Sequence, residues 1–244
     1  MIPKSHPRYE SLRKRNLIVY GIKKEITSMH GLIAHGRGEA FDYLLGEKTN
    51  EFAEKSIEVA SIMLMLAKHP AISVNGNAAA IVPKELVKLS KMIPAPLEVN
   101  IFHQSKKREI KIKKHLEKYG AKNVLLPDKR YNIKFLESNR KYVNKDGILK
   151  ADVVFVPLED GDRTEALINN GKKVITIDLN PLSRTSQKAT IVIVDNITRA
   201  MPLLIKKIKK LKKHSKNKLK GIARNYNNKK NLKKSLRYML QNLS

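Results

Sequence analysis

Residues 31–46 read Gly-Leu-Ile-Ala-His-Gly-Arg-Gly-Glu-Ala-Phe-Asp-Tyr-Leu-Leu-Gly, a histidine, an arginine and two acids set between glycines. Gly36 and Gly38 allow a close backbone approach or a positive φ. Arg37 between them can fork onto a phosphate or a carboxylate, and His35 stands beside it. Glu39 and Asp42 are expected in the first turn of the following helix, where negative charge is favoured. The pattern suits an anionic ligand at a loop-to-helix junction. A glycine-rich turn with a solvated arginine would use the same residues.

Further polar clusters follow β-branched runs. Val156-Pro157-Leu158-Glu159-Asp160-Gly161-Asp162-Arg163-Thr164-Glu165 crowds acids, an arginine and a threonine into one strand-to-helix turn. Asp162 and Glu165 have the spacing of a capping box, which leaves Glu159, Asp160 and Arg163 for other work. A carboxylate such as Asp160 suits Mg²⁺, which takes one or two protein oxygens plus phosphate oxygens, or it suits a substrate ammonium. Asp178-Leu179-Asn180-Pro181-Leu182-Ser183-Arg184-Thr185 offers an acid for a ribose or adenine amine and two phosphate ligands, or else a proline turn with a Ser/Thr cap. Asp195-Asn196-Ile197-Thr198-Arg199 repeats the style. Asn75-Gly76-Asn77 reads equally as a ligand loop or a tight Asn-Gly turn. The chain has no GxxxxGK[ST], no GxGxxG and no GxSxG elbow.

The elements that must position these residues are short. Residues 71–74, 97–102, 123–126, 151–158, 173–179 and 190–195 read as near-continuous apolar strands separated by helices at 83–92, 105–119 and 163–170. That is the pattern of a parallel sheet covered on both faces. The expected fold is α/β: a doubly wound, Rossmann-like, mostly parallel sheet over 71–204, with ligands beyond the carboxyl ends of the strands. Residues 1–70 form a helical N-terminal section containing the glycine-rich loop, with one basic amphipathic helix over 8–30 and further helix around 41–45 and over 52–68. Residues 205–244 form a basic helical tail, and 127–150 are polar and irregular.

The net charge of +28 over 244 residues points toward nucleic acid at first sight. Its distribution argues otherwise: residues 205–244 hold 15 Lys/Arg and no acid, about half of the excess. Tryptophan is absent and aromatics are sparse, so base-stacking platforms are poorly supported. A nucleic-acid-binding protein using the lysine-rich tail stays as the alternative. There is no cysteine, which excludes disulfides and thiolate chemistry. No apolar run approaches the ~18 residues of a membrane span. A cytoplasmic protein without a membrane partner is expected.

Residues 5–9, 31–46, 72–79, 156–167, 178–185 and 195–200, in this order, resemble the archaeal phosphopantothenate synthetases, the 4-phosphopantoate–β-alanine ligases. The resemblance spans about residues 2–202. It implies a homodimeric enzyme of coenzyme A biosynthesis that uses ATP with Mg²⁺. The carboxylate of 4-phosphopantoate would be activated as an acyl-adenylate and captured by β-alanine, with AMP and diphosphate released. It places Arg15, Arg37, Asp178, Leu179, Asn180, Arg184, Thr185, Asn196 and Ile197 at ATP. Beside it, charge and motif position suggest catalytic roles for Arg37, Asp160, Asp162 and Arg163, Mg²⁺ or ammonium at Asp160, and substrate contacts from His35, Asn75, Gly76 and Asn77. The tail beyond Leu204 is expected to be dispensable for activity.

Overall fold

The computed structural model describes residues 2–103 and 105–241. Three helices lead: α1 (Tyr9–Lys23), α2 (Met29–Leu44) and α3 (Glu51–Leu66). Then come β1 (Pro70–Val74), α4 (Gly76–Ile81), α5 (Pro83–Met92), β2 (Leu97–Val99), α6 (Lys106–Lys118) and β3 (Val124–Leu125). The stretch expected to be irregular folds into β4 (Asp128–Asn132) and β5 (Tyr142–Val143), paired antiparallel. The second half runs β6 (Val153–Pro157), α7 (Gly161–Asn169), β7 (Lys173–Ile177), α8 (Arg184–Lys188), β8 (Ile191–Ile193), α9 (Ile197–Leu211), α10 (Lys216–Ala223) and α11 (Asn228–Gln241).

Six strands form one parallel sheet in the order β3-β2-β1-β6-β7-β8. Strand order reverses between β1 and β6, the switch point at which a doubly wound sheet opens a crevice. Successive side chains of a strand point to opposite faces, and the sequence fills both. Phe155, Ile175, Ile177, Ile191 and Ile193 join one core with Ile57, Leu64, Leu204 and Ile208. Val154, Val156, Val174 and Val192 join the other with Phe52, Leu167, Leu232 and Met239. Runs such as Val153-Val154-Phe155-Val156 are apolar throughout because neither face meets water.

Several expected boundaries move. The helix expected over 8–30 ends at Lys23, and a second begins after Ser28. The glycine-rich segment is no loop: residues 31–44 lie within α2. Glu39 and Asp42 therefore sit far from its first turn, where buried ion pairs rather than a helix end compensate them. Residues 76–81 are helical as well, with Asn75 as N-cap accepting from Ala78 N at 3.0 Å. Asp162 does not cap α7: the helix starts at Gly161, and Glu165 turns away to Arg184 and Lys188, 2.6 Å from each.

The tail is docked. Leu219 packs on Ile62 and Leu211, and Asn231 Nδ2 donates to Phe52 O and Ser56 Oγ on α3. Asn228 Oδ1 accepts from Val192 N of β8 at 3.0 Å, occupying a donor on the sheet edge.

Candidate active site

A cleft of about 640 Å³ opens beyond the carboxyl ends of β2, β1, β6, β7 and β8. The loops after the strands form its floor and are stitched together. Asn75 Nδ2 donates to Pro157 O (3.1 Å) and Leu158 O (2.7 Å), which joins β1 to β6 across the switch point. Leu158 holds φ +61°, a left-handed conformation uncommon for a branched side chain. Thr185 Oγ1 donates to Glu159 O at 2.8 Å and ties β6 to the loop after β7.

Helix α2 is the roof. His30 meets His103, after β2, with ring centroids 4.6 Å apart. Asn77, after β1, donates to Gly31 O at 2.8 Å. A Cβ on Gly38 would lie 3.6 Å from Leu179 Cδ1, after β7. Asn196, after β8, donates to Asp42 Oδ2 at 2.7 Å. The helix thus crosses the strand ends in sheet order. Its rise from His30 to Asp42 is about 18 Å, and four strand spacings from β2 to β8 make about 19 Å.

Buried ion pairs fix both layers. Asp42, 1% exposed, receives Arg199 at 2.5 Å and Lys14 at 3.4 Å. Burial opposes its ionisation, yet Arg199, Lys14 and Asn196 hold its carboxyl below the usual range. Arg199 also bridges to Asp195 at 2.6 Å, which locks the start of α9 to α2. In the floor, Glu159 is clamped by Arg140 and Arg163. Burial would raise its pKa, but the two guanidiniums pull it below the usual range. Asp160 is held 2.6 Å from Arg140 with about half of its side chain exposed. Burial and the adjacent Glu159 raise its pKa. Burial also raises Asp178, although Ser183 Oγ and Asn180 N donate to it.

The cleft gathers His35, Arg37, Asn75, Gly76, Asn77, Asp160, Asp178, Leu179, Asn180, Arg184, Thr185, Asn196 and Ile197. Three expected residues fall outside its lining. Arg163 is fully buried under the floor, donating to Glu159 and to Ser73 Oγ at 3.1 Å, so it positions rather than touches a ligand. Arg15 lies on the other side of α2, paired with Glu39 at 2.8 Å beside a second pocket. Asp162 lies in the first turn of α7, clear of the cleft lining. Motif reading missed Arg140, Lys14, His30, His103 and Arg108, which come from the unassigned connection, α1, the start of α2, the β2–α6 loop and the first turn of α6. The one signal available for Arg108 was its place in the first turn of a basic helix that follows a strand.

Residues 52–242 match the phosphopantothenate/pantothenate synthetase family. The chain belongs to that family. The 4-phosphopantoate–beta-alanine ligase of Thermococcus kodakarensis is 50% identical over 246 residues, covering all of this chain and 94% of its own length. The protein of the same name from Methanosarcina mazei is 47% identical over 242 residues, 99% of this chain and 95% of its own. That from Methanospirillum hungatei is 51% identical over 201 residues, 82% of each. Family similarity therefore runs through the tail and does not end near Pro202, in keeping with the docking of α10 and α11. Among the described residues no helix is long and apolar enough to cross a membrane, and no group of three or more His, Cys, Asp or Glu could hold a metal.

Proposed function

We infer that this chain is an ATP-dependent carboxylate–amine ligase that joins 4-phosphopantoate to β-alanine, giving 4′-phosphopantothenate for coenzyme A synthesis. The observation that carries the reading is near-50% identity, along almost the whole chain, to ligases of that name, in a protein with a cleft of about 640 Å³ at the switch point.

The nucleotide takes the β7–β8 side. Asp178 and Asn180 face the ribose or base, and Arg184, Thr185 and the loop at Asn196 and Ile197 face the phosphates. Arg37 projects from the roof, exposed and without a partner among the described residues. It stabilises charge building on the α-phosphate. The acid substrate lies toward β1 and β2, against Asn75, Gly76, Asn77 and His35. Burial lowers the His35 pKa, so its imidazole is neutral near pH 7, and its Nε2 lacks a partner among the described residues.

The substrate carboxylate oxygen attacks the α-phosphorus and diphosphate leaves. The free amine of β-alanine then attacks the acyl carbon, and AMP departs with the former carboxylate oxygen. Both steps need alignment and charge stabilisation rather than a protein nucleophile, which fits a chain without cysteine. Asp160 is suited to Mg²⁺ as a single carboxylate donor completed by phosphate oxygens, and the ion would neutralise the triphosphate. The same carboxylate is the candidate for the β-alanine ammonium. Exposed Tyr20, Met29 and Ile33 on α1 and α2 support a homodimer, and a small-molecule ligase of this kind fits the cytoplasm.

Incubation with ATP, Mg²⁺, 4-phosphopantoate and β-alanine tests the reading. Amide product with equimolar AMP is expected. Amide with ADP would replace the adenylate by an acyl phosphate. A folded protein that makes no amide but binds RNA in a salt-sensitive way would favour the nucleic-acid alternative.

A further inference from the structure

The two ends of the cleft differ in charge. Among the described residues, four arginines line it: Arg37, Arg108, Arg140 and Arg184. Arg140 is neutralised by Glu159 and Asp160, and Arg184 by Glu165. Arg37 and Arg108 have no carboxylate partner among the described residues. Arg37 stands next to Gly38, near Leu179 on the nucleotide side. Arg108 lies at the opposite end, where the loop after β2 meets α6.

Arg108 Nη1 donates to His103 O at 3.2 Å, and its Nε is shut off from solvent with no partner among the described residues. Burial lowers its pKa, and no acid offsets the effect. His103 packs tilted against His30 beside it, and Phe102 is 56% exposed at the same mouth. Among the described residues no carboxylate lines this end. A half-desolvated guanidinium without a counter-charge is costly unless an anion arrives.

We propose that Arg108, flanked by His30 and His103, receives the phosphoryl group of the acid substrate, and that this end of the cleft selects the phosphorylated acid over the free hydroxy acid. The inference rests on the ligase reading above. The substrate's carboxylate must meet the α-phosphorus near Arg37, so the far end of the same molecule reaches away from the nucleotide. The β2 end is the part of the cleft that offers an unpaired cation there. Two polyanions and two unpaired arginines are thereby matched.

The test is steady-state kinetics of wild type and R108Q with 4-phosphopantoate, with pantoate, and with varied ATP. A lost charge-assisted contact predicts kcat/KM for 4-phosphopantoate lower by roughly 10- to 100-fold, mainly through KM. Activity on pantoate and the KM for ATP should stay within about threefold, and R108K should recover part of the loss. An equal loss with both acids, or an unchanged KM for 4-phosphopantoate, would overturn the proposal. Should R108Q not fold, inhibition of the wild type by inorganic phosphate decides: competition with 4-phosphopantoate supports it, and competition with ATP alone contradicts it. A wild type inactive on both acids would instead refute the ligase reading, a distinguishable result.

Discussion

Arg37 projects from the roof of the cleft with no carboxylate partner among the described residues, whereas Arg163 lies beneath the floor, clamped to Glu159. The sequence presents both as arginines next to a glycine and an acid, and only burial separates their work. Replacing Arg37 by Ala should lower kcat by about 100-fold, the scale of one lost transition-state donor, with the melting temperature unchanged. R163M should do the reverse. Removing one partner of a buried ion pair costs about 3 kcal/mol or more, read as a lower urea midpoint. Glu98 gives the pH prediction. Buried in β2, it accepts from Asn144 N and Ile148 N, and burial pushes its pKa to about 7 from 4.5. A carboxyl whose pKa is raised by folding supports the fold fully below the unfolded value and loses that support as pH rises through the folded one. Stability should thus fall between pH 4.5 and pH 7 by about 3 kcal/mol from this group. Urea unfolding at pH 5 and pH 8 checks it: E98Q should flatten the decline, and an unchanged pH slope would contradict the assignment.

Helix α2 shows why part of the site was legible and part was not. Its cleft-facing residues were readable, since His35 and Arg37 do line the cleft, but its form was not. Three glycines and a charged triplet look like turn chemistry because glycine is a poor helix former. Packing overrides that preference, as α2 is held at Gly31 by Asn77 and at Asp42 by Asn196 and Arg199. Two of its glycines separate the causes. A Cβ on Gly31 would collide with Asn77 Oδ1 and Thr27 Oγ1, whereas one on Gly36 meets nothing within 4 Å. G31A should therefore displace the roof and reduce turnover at least tenfold. G36A should raise stability by about 0.5–1 kcal/mol and leave turnover near wild type. Equal effects at the two positions, by thermal melts and kinetics, would contradict the roof. The six strands of the parallel sheet were legible because both faces are apolar, so β-branched runs mark them; β4, polar and partly exposed, and the short β5 carry no such mark. The residues after β1, β6, β7 and β8 were found by the same logic; His103 and Arg108 after β2 were not, and those from α1 and the 127–150 connection were not, since only tertiary folding brings them near.

At the scale of the whole molecule, charge was the misleading signal. Fifteen basic residues without an acid after Leu204 read as an appendage, while the few apolar ones, Leu211, Leu219, Leu232 and Met239, carry the docking. Each buried side chain of that kind contributes ~2 kcal/mol, and Asn228 also covers the edge of β8. A chain ending after Leu211 should melt at a clearly lower temperature and aggregate through the exposed strand edge; the expectation from composition concerned activity alone. A truncated chain as stable as the full one would restore the appendage view. The central claim is that one cleft brings the carboxylate of 4-phosphopantoate to the α-phosphorus of ATP. Turnover of 4-phosphopantoate labelled with oxygen-18 in its carboxylate tests it most directly, with AMP and orthophosphate examined by mass spectrometry. The label should appear in AMP; label in orthophosphate, or unlabelled AMP beside amide product, would contradict the account.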